Sequence, residues 1–284
     1  MVDRPLIVIG TGRCGTTLVF EVLAAHPQVT WLSAALVEGR EPLHDQVARR
    51  LGFRVGPWFQ PKGEAYAFWT RFDPPFFSRG VEPSEEHVPA GMAQAVHAEI
   101  TRQQRITGRR RFVTKLTGWS PIRYFDAIFP DARYLHVVRD GRAVAWSLLN
   151  VDWWDGFHGP NPWGKSPDKM SPAERETWEQ SGRSRYILAG LQWQRFMEGL
   201  TRHGAQIGDR YRELRYERLV AQPVESFREV LGWADLSRDQ GFLEGIANRE
   251  FHDGNRQWRE RVPQADQRQF ENLLGDALRK YAYG

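Results

Sequence analysis

The chain has 284 residues, 41% hydrophobic and 26% charged, which is enough apolar material for one large core or two modest ones. Its net charge of +4 fits either an Arg-rich composition alone or a cleft that attracts a polyanion such as a nucleotide. The single cysteine, Cys14, excludes an internal disulfide framework and a cysteine-rich zinc site, and no basic patch interleaved with aromatics suggests nucleic acid. The first apolar run, Leu6 to Ile9, is far too short for a membrane span and lacks the layout of a secretory signal, so a cytoplasmic enzyme is the default expectation. No linker, low-complexity run or repeat divides the chain, and residues 1–284 are expected to form a single α/β domain with insertions.

Leu6 to Ile9 is a compact run that predicts a buried parallel strand. The glycine-rich turn Gly10-Thr11-Gly12-Arg13-Cys14-Gly15-Thr16-Thr17 follows, and then Leu18, Val19, Val22 and Leu23 at helical spacing. Strand, turn and helix in this order gather backbone N–H groups and the positive end of a helix around one point, a seat for an anion. The spacing Gly10 to Gly15 copies a P-loop, but Thr16 stands where a nucleotide triphosphatase carries lysine. Arg13, inside the loop, offers a cation suited to bidentate oxyanion binding instead.

Phe112 to Thr114 predicts a strand ending at Lys115, Ser120 to Phe129 a helix, and Arg133 to Val138 another buried strand. Arg139-Asp140-Gly141-Arg142 then leads into a helix over Ala143 to Leu149. This alternation predicts a P-loop-type parallel sheet flanked by helices on both faces, with loop and helical insertions. Ligands in such sheets bind at the carboxyl ends of strands, where Gly10, Lys115 and Arg139 all fall. His136, inside a buried strand, is expected to be a core residue rather than a catalytic one.

These residues carry a resemblance to the superfamily of sulfotransferases that use 3′-phosphoadenosine 5′-phosphosulfate (PAPS). The loop Gly10 to Thr17 is similar to that family's 5′-phosphosulfate loop. The block Val138 to Ser147, an Arg with a Ser eight residues later, resembles its 3′-phosphate motif, in the version of the tyrosylprotein sulfotransferases and their bacterial relatives. Leu214 to Val220 resembles the strand-to-helix Tyr-Glu-x-Leu-Val segment of the same group. The resemblance implies that Gly12, Arg13, Cys14, Gly15, Thr16 and Thr17 hold the 5′-phosphosulfate of PAPS, and Arg139 and Ser147 the 3′-phosphate. It implies Tyr216 near the nucleotide and Arg256 or Arg259 in a basic loop over the 3′-phosphate. It gives Lys115 contact with the bridging oxygen or the transferred group.

The glutamate that serves those relatives as general base falls here, counted without gaps, at Ala34, with Glu38, Glu41 and His44 beyond it. Either Glu38 serves, or the base lies elsewhere, or the acceptor needs little deprotonation. Lys115, Arg13 and Glu38 are thus the candidate catalytic residues, and no metal is expected, since no His, Asp or Glu cluster has ligand spacing.

Aromatic insertions at 57–89 and 151–182 are expected to wall an acceptor pocket for a small molecule, a sugar or a lipid, with PAP (3′-phosphoadenosine 5′-phosphate) as the second product. Arg183 to Leu200 and Gln264 to Tyr281 predict two long helices. Two rival readings stay open at this point. A P-loop kinase or other nucleotide-binding enzyme shares the opening loop but should have lysine after Gly15. A non-catalytic carbohydrate-binding protein explains the aromatic loops but not Arg139 with Ser147.

Overall fold

The computed structural model describes residues 1–33, 37, 61, 63–76, 79–157 and 162–284. Five strands form one sheet: β1 (Leu6–Gly10), β2 (Val29–Thr30), β3 (Arg111–Thr117), β4 (Arg133–Val138) and β5 (Tyr211–Arg215). Their order is β2-β3-β1-β4-β5, and every pair is parallel. Helices cover both faces, so the central strands are apolar on both sides rather than alternating with polar residues. Side-chain direction still follows the period of two. Leu6, Val8, Val113, Leu135 and Val137 enter one apolar layer, while Ile7, Ile9, Phe112, Leu116 and Tyr134 enter the other.

The first layer is closed by α1 (Thr16–Ala24), α5 (Gly141–Leu149), α7 (Arg185–Gln206), α9 (Pro223–Trp233), α10 (Gln240–Ala247) and α12 (Gln264–Lys280). The second is closed by α2 (Tyr66–Phe72), α3 (Met92–Thr107) and α4 (Ile122–Ile128). Three further helices lie among the described residues: α6 (Pro172–Gln180), α8 (Tyr216–Ala221) and α11 (Arg256–Arg261). Asp140 caps α5 by accepting from the Arg142 N–H at 2.9 Å, and Ser171 with Glu174 forms a capping box on α6.

The expected parallel sheet with helices on both faces is the observed architecture. Some boundaries differ. β3 runs two residues past Lys115, because Leu116 still packs into the second layer and Thr117 still pairs with Gly10. The helix expected over Ser120 to Phe129 spans only Ile122–Ile128. The aromatic insertions are split between core and cavity. Phe68, Trp69, Trp154 and Trp163 are core residues, whereas Tyr66, Phe76, Trp153 and Phe157 line a cavity. No described helix is long and apolar enough to cross a membrane.

His136 is buried on β4 and hydrogen-bonded to the Tyr211 hydroxyl. Burial lowers its pKa from the ordinary 6.5 to about 3. The folded state therefore holds it neutral, and the unfolded chain binds more protons between those two values. Stability should fall as the pH drops through that window. In urea unfolding between neutral and about pH 4, the wild type is expected to lose up to about 1.4 kcal/mol more per pH unit than His136→Gln. Parallel pH curves for the two proteins would contradict this reading of His136.

Candidate active site

The parallel register brings the ends of β1, β3, β4 and β5 to one edge of the sheet. The turn after β1 curls there, with positive φ at Gly12 (83°), Arg13 (55°) and Gly15 (98°). Backbone in this form makes a concavity of N–H groups, and here it opens at the N-terminus of α1. Gly15 is required on two grounds: its φ, and the Tyr216 ring, which would lie 2.6 Å from a Cβ at this position. Cys14 is buried, and burial pushes its thiol pKa up, so it packs as a small side chain rather than serving as a nucleophile.

Two arginines meet at this turn. Arg13 Nε donates to Ser147 Oγ at 2.9 Å, and Arg139 Nη1 donates to the Arg13 carbonyl at 2.8 Å. Arg139 is only 8% exposed; its Nε donates to Asn255 Oδ1 at 2.8 Å, and its charge lies 4.3 Å from the centre of the Tyr216 ring. Neither arginine has a carboxylate partner among the described residues. Burial, and after it the charge of Arg139, lowers the pKa of Arg13. Arg13 as a whole is exposed, whereas Arg139 is a buried cation without a counterion among the described residues, whose cost an anionic ligand would remove.

The strand-to-helix corner after β5 braces the pair. Tyr216 donates its hydroxyl proton to the His252 carbonyl at 2.9 Å and accepts from the Gly254 N–H at 3.1 Å. Glu217 accepts from the Asp140 N–H, from Asn255 Nδ2 and from the Tyr283 hydroxyl at 3.1, 2.7 and 3.0 Å. One carboxylate thus joins the end of β4, the loop at 252–255 and the C-terminus of the chain.

Lys115 stands on the other side of the turn and is 4% exposed. Its ammonium donates to Thr17 Oγ1 at 2.7 Å and pairs with Glu64 Oε1 at 2.7 Å. The two contacts place it between the glycine-rich turn and a cavity of about 1030 Å3. Gly12, Arg13, Thr17, Lys115 and Glu64 line that cavity together with the aromatic residues Tyr66, Phe76, Trp119, Trp153, Phe157 and Phe196.

Gly12, Arg13, Cys14, Gly15, Thr16, Thr17, Lys115, Arg139, Ser147 and Tyr216 all lie in or against this edge. Arg256 and Arg259 do not reach the arginine pair. Arg256 is exposed and bonded to Glu260 at 2.6 Å, and Arg259 is exposed on α11 beside Trp258. Asn255, one residue earlier, makes the contact to Arg139. Glu38 lies outside the described residues, as do Ala34, Glu41 and His44. Sequence reading missed Glu64, Asn255 and Glu217 as site residues; only Glu217 carried a signal, within the Tyr-Glu-x-Leu-Val segment. Among the described residues no group of three or more His, Cys, Asp or Glu side chains could hold a metal ion.

A profile of the Sulfotransferase family matches residues 5–240. No curated protein matches the chain. Among solved structures, the sulfotransferase STF9 from Mycobacterium avium aligns over 99% of this chain and 77% of its own, at 17% identity and a TM-score of 0.59. A sulfotransferase domain from the curacin biosynthetic pathway aligns over 99% and 98%, at 12% identity and 0.53. Mouse sulfotransferase SULT7A1, solved with PAP, aligns over 97% and 85%, at 12% identity and 0.50. At these identities the structures show a shared fold, while the profile spans the turn, Lys115, the arginine pair and Tyr216, and the chain is therefore a member of the sulfotransferase family.

Proposed function

We propose that this enzyme transfers a sulfuryl group from PAPS to a hydroxyl of a small acceptor with a largely apolar body, such as a small molecule, a sugar face or a lipid, and releases PAP. The observation that carries the donor assignment is the pair Arg13 and Arg139, two arginines gathered at one turn, the second bonded to the backbone carbonyl of the first, with no carboxylate partner among the described residues. A nucleotide with phosphates at both its 3′ and 5′ positions offers an anion to each. The PAP complex of SULT7A1, which shares the fold, supports the same donor.

In this reading the turn Gly12 to Thr17 cradles the 5′-phosphosulfate, and Arg139 with Ser147 takes the 3′-phosphate. Arg13 lies between them. Sulfuryl transfer asks for in-line placement of two oxygens and for stabilisation of charge on the departing phosphate. Lys115 can meet the second need, because its ammonium reaches both the turn, through Thr17, and the cavity. The aromatic walls can meet the first by holding the acceptor's apolar body against the turn.

By calorimetry, PAP is expected to bind at least about tenfold more tightly than adenosine 5′-phosphate, since a charge-assisted contact contributes roughly 1.5–3 kcal/mol. Arg139→Ala should remove most of that preference. Equal affinity of the wild type for the two nucleotides would contradict the donor. Lys115→Ala should lower turnover by about 10²-fold, the size of losing one oxyanion stabiliser, while PAP affinity changes much less. Near-normal turnover in that variant would pass the leaving-group role to Arg13.

A further inference from the structure

The donor side of the proposed reaction has its cations, but the acceptor hydroxyl must also lose a proton. Among the described residues lining the cavity, Glu64 is the one carboxylate, and no histidine lines it. The other titratable groups there are unsuited to the task. Arg13, Lys115, Lys165 and Lys169 are cations, and Arg79 is held by Asp73 through bonds of 2.9 to 3.2 Å. The Tyr66 phenol is pushed up by burial and then by the Glu64 charge, against which its bond with Thr117 works only weakly, so it keeps its proton.

Glu64 is placed by backbone as well as by charge. The Lys115 N–H donates to the Gly63 carbonyl at 3.3 Å, which ties the segment to β3. A Cβ at position 63 would lie 2.5 Å from Lys115 Cε, so glycine there lets the chain pass closely over the lysine. The Glu64 carboxylate then uses a single oxygen for its protein contacts. Oε1 pairs with Lys115 Nζ at 2.7 Å and accepts from Thr117 Oγ1 at 3.3 Å, while Oε2 has no partner among the described residues. The side chain keeps 27% of its surface exposed, and it lines the cavity. A carboxylate oriented through one oxygen and open at the other, one lysine away from the donor turn, has the arrangement that proton removal requires.

We infer that Glu64 is the general base for the acceptor, an assignment that rests on the sulfuryl-transfer reading above. The acceptor oxygen forms a bond to sulfur as the bond from sulfur to the 5′-phosphate oxygen of PAPS breaks. The electron pair of that broken bond stays on the phosphate of PAP, and the hydroxyl proton passes to Glu64 Oε2. Lys115, bonded to Oε1, couples the two ends: it holds the base in place and faces the oxygen on which charge grows.

The test compares two acceptors that differ in their need for a base. Both 2-phenylethanol and p-nitrophenol suit apolar walls, but only the phenol is largely ionised in the mildly alkaline buffer in which both are assayed. With radiolabelled PAPS, Glu64→Gln should sulfate 2-phenylethanol about 10²-fold or more slowly than wild type, the range typical of losing a general base. On p-nitrophenol it should lose less than about tenfold, because that acceptor arrives without its proton. PAP affinity of the variant, measured by calorimetry, should match wild type. An equal loss on both acceptors would make Glu64 a positioning residue for Lys115, and no loss on either would remove it from the chemistry; both outcomes overturn the inference. A wild type that binds PAP but sulfates neither compound would also overturn it, because the cavity containing Glu64 would then not be the acceptor site. Failure of the wild type to bind PAP would instead strike the donor assignment on which the inference rests.

Discussion

Arg13 and Arg139 approach each other across the turn after β1, and the rest of the site is organised around keeping them there. Arg139 reaches the Arg13 carbonyl, rests on the Tyr216 ring and is held at its Nε by Asn255. Each of these partners is neutral, so the bonds orient the guanidinium without cancelling its charge. The cost of that charge is borne by a sheet whose two faces are packed with apolar side chains, and by Glu217, which bonds three separate segments behind the pair. An anion binding at this corner would find its counter-charges already in position, so little reorganisation is left for the moment of reaction.

Lys115 extends the same logic to the acceptor side. β3 lies next to β1 and carries Lys115 opposite Val8, which brings its ammonium within bonding distance of Thr17 on α1. The same ammonium meets Glu64 in the lining of the cavity. One buried cation therefore stands between the glycine-rich turn and a carboxylate that would otherwise repel an anion bound there. The apolar cavity walls lower the local dielectric and strengthen each of these interactions.

Much of this was legible in the sequence, because the informative signals there are local. Leu6 to Ile9 and Arg133 to Val138 are short β-branched or aromatic runs bounded by turns, and both are strands. The glycines of the turn, Arg13, and the Arg139 to Ser147 spacing lie within short windows, and the structure brings these residues to one edge of the sheet. What the sequence hid depends on chain segments that meet only in three dimensions. Nothing around Glu64 has periodicity or a motif, and its place is set by a bond from Gly63 to a strand some fifty residues later. Asn255 was overlooked beside the more conspicuous Arg256 and Arg259, because charge draws attention while the contact actually made is an amide to a guanidinium. The aromatic stretch from Tyr66 to Phe76 read uniformly as a pocket wall. The helix divides it instead, with Phe68 and Trp69 buried in the core and Tyr66 lining the cavity, as Phe76 does from the turn beyond the helix.

The central claim is that the corner at Arg13 and Arg139 is built for a nucleotide with phosphates at both the 3′ and 5′ positions. A ligand that binds only the folded state raises the melting temperature, and at equal concentration the tighter binder raises it more. Thermal unfolding of the wild-type protein with PAP and with ADP, at equal concentrations and without metal, compares two nucleotides of similar size that place their phosphates differently. The account predicts a clear rise with PAP and little or none with ADP. A rise with ADP equal to or greater than that with PAP would contradict it.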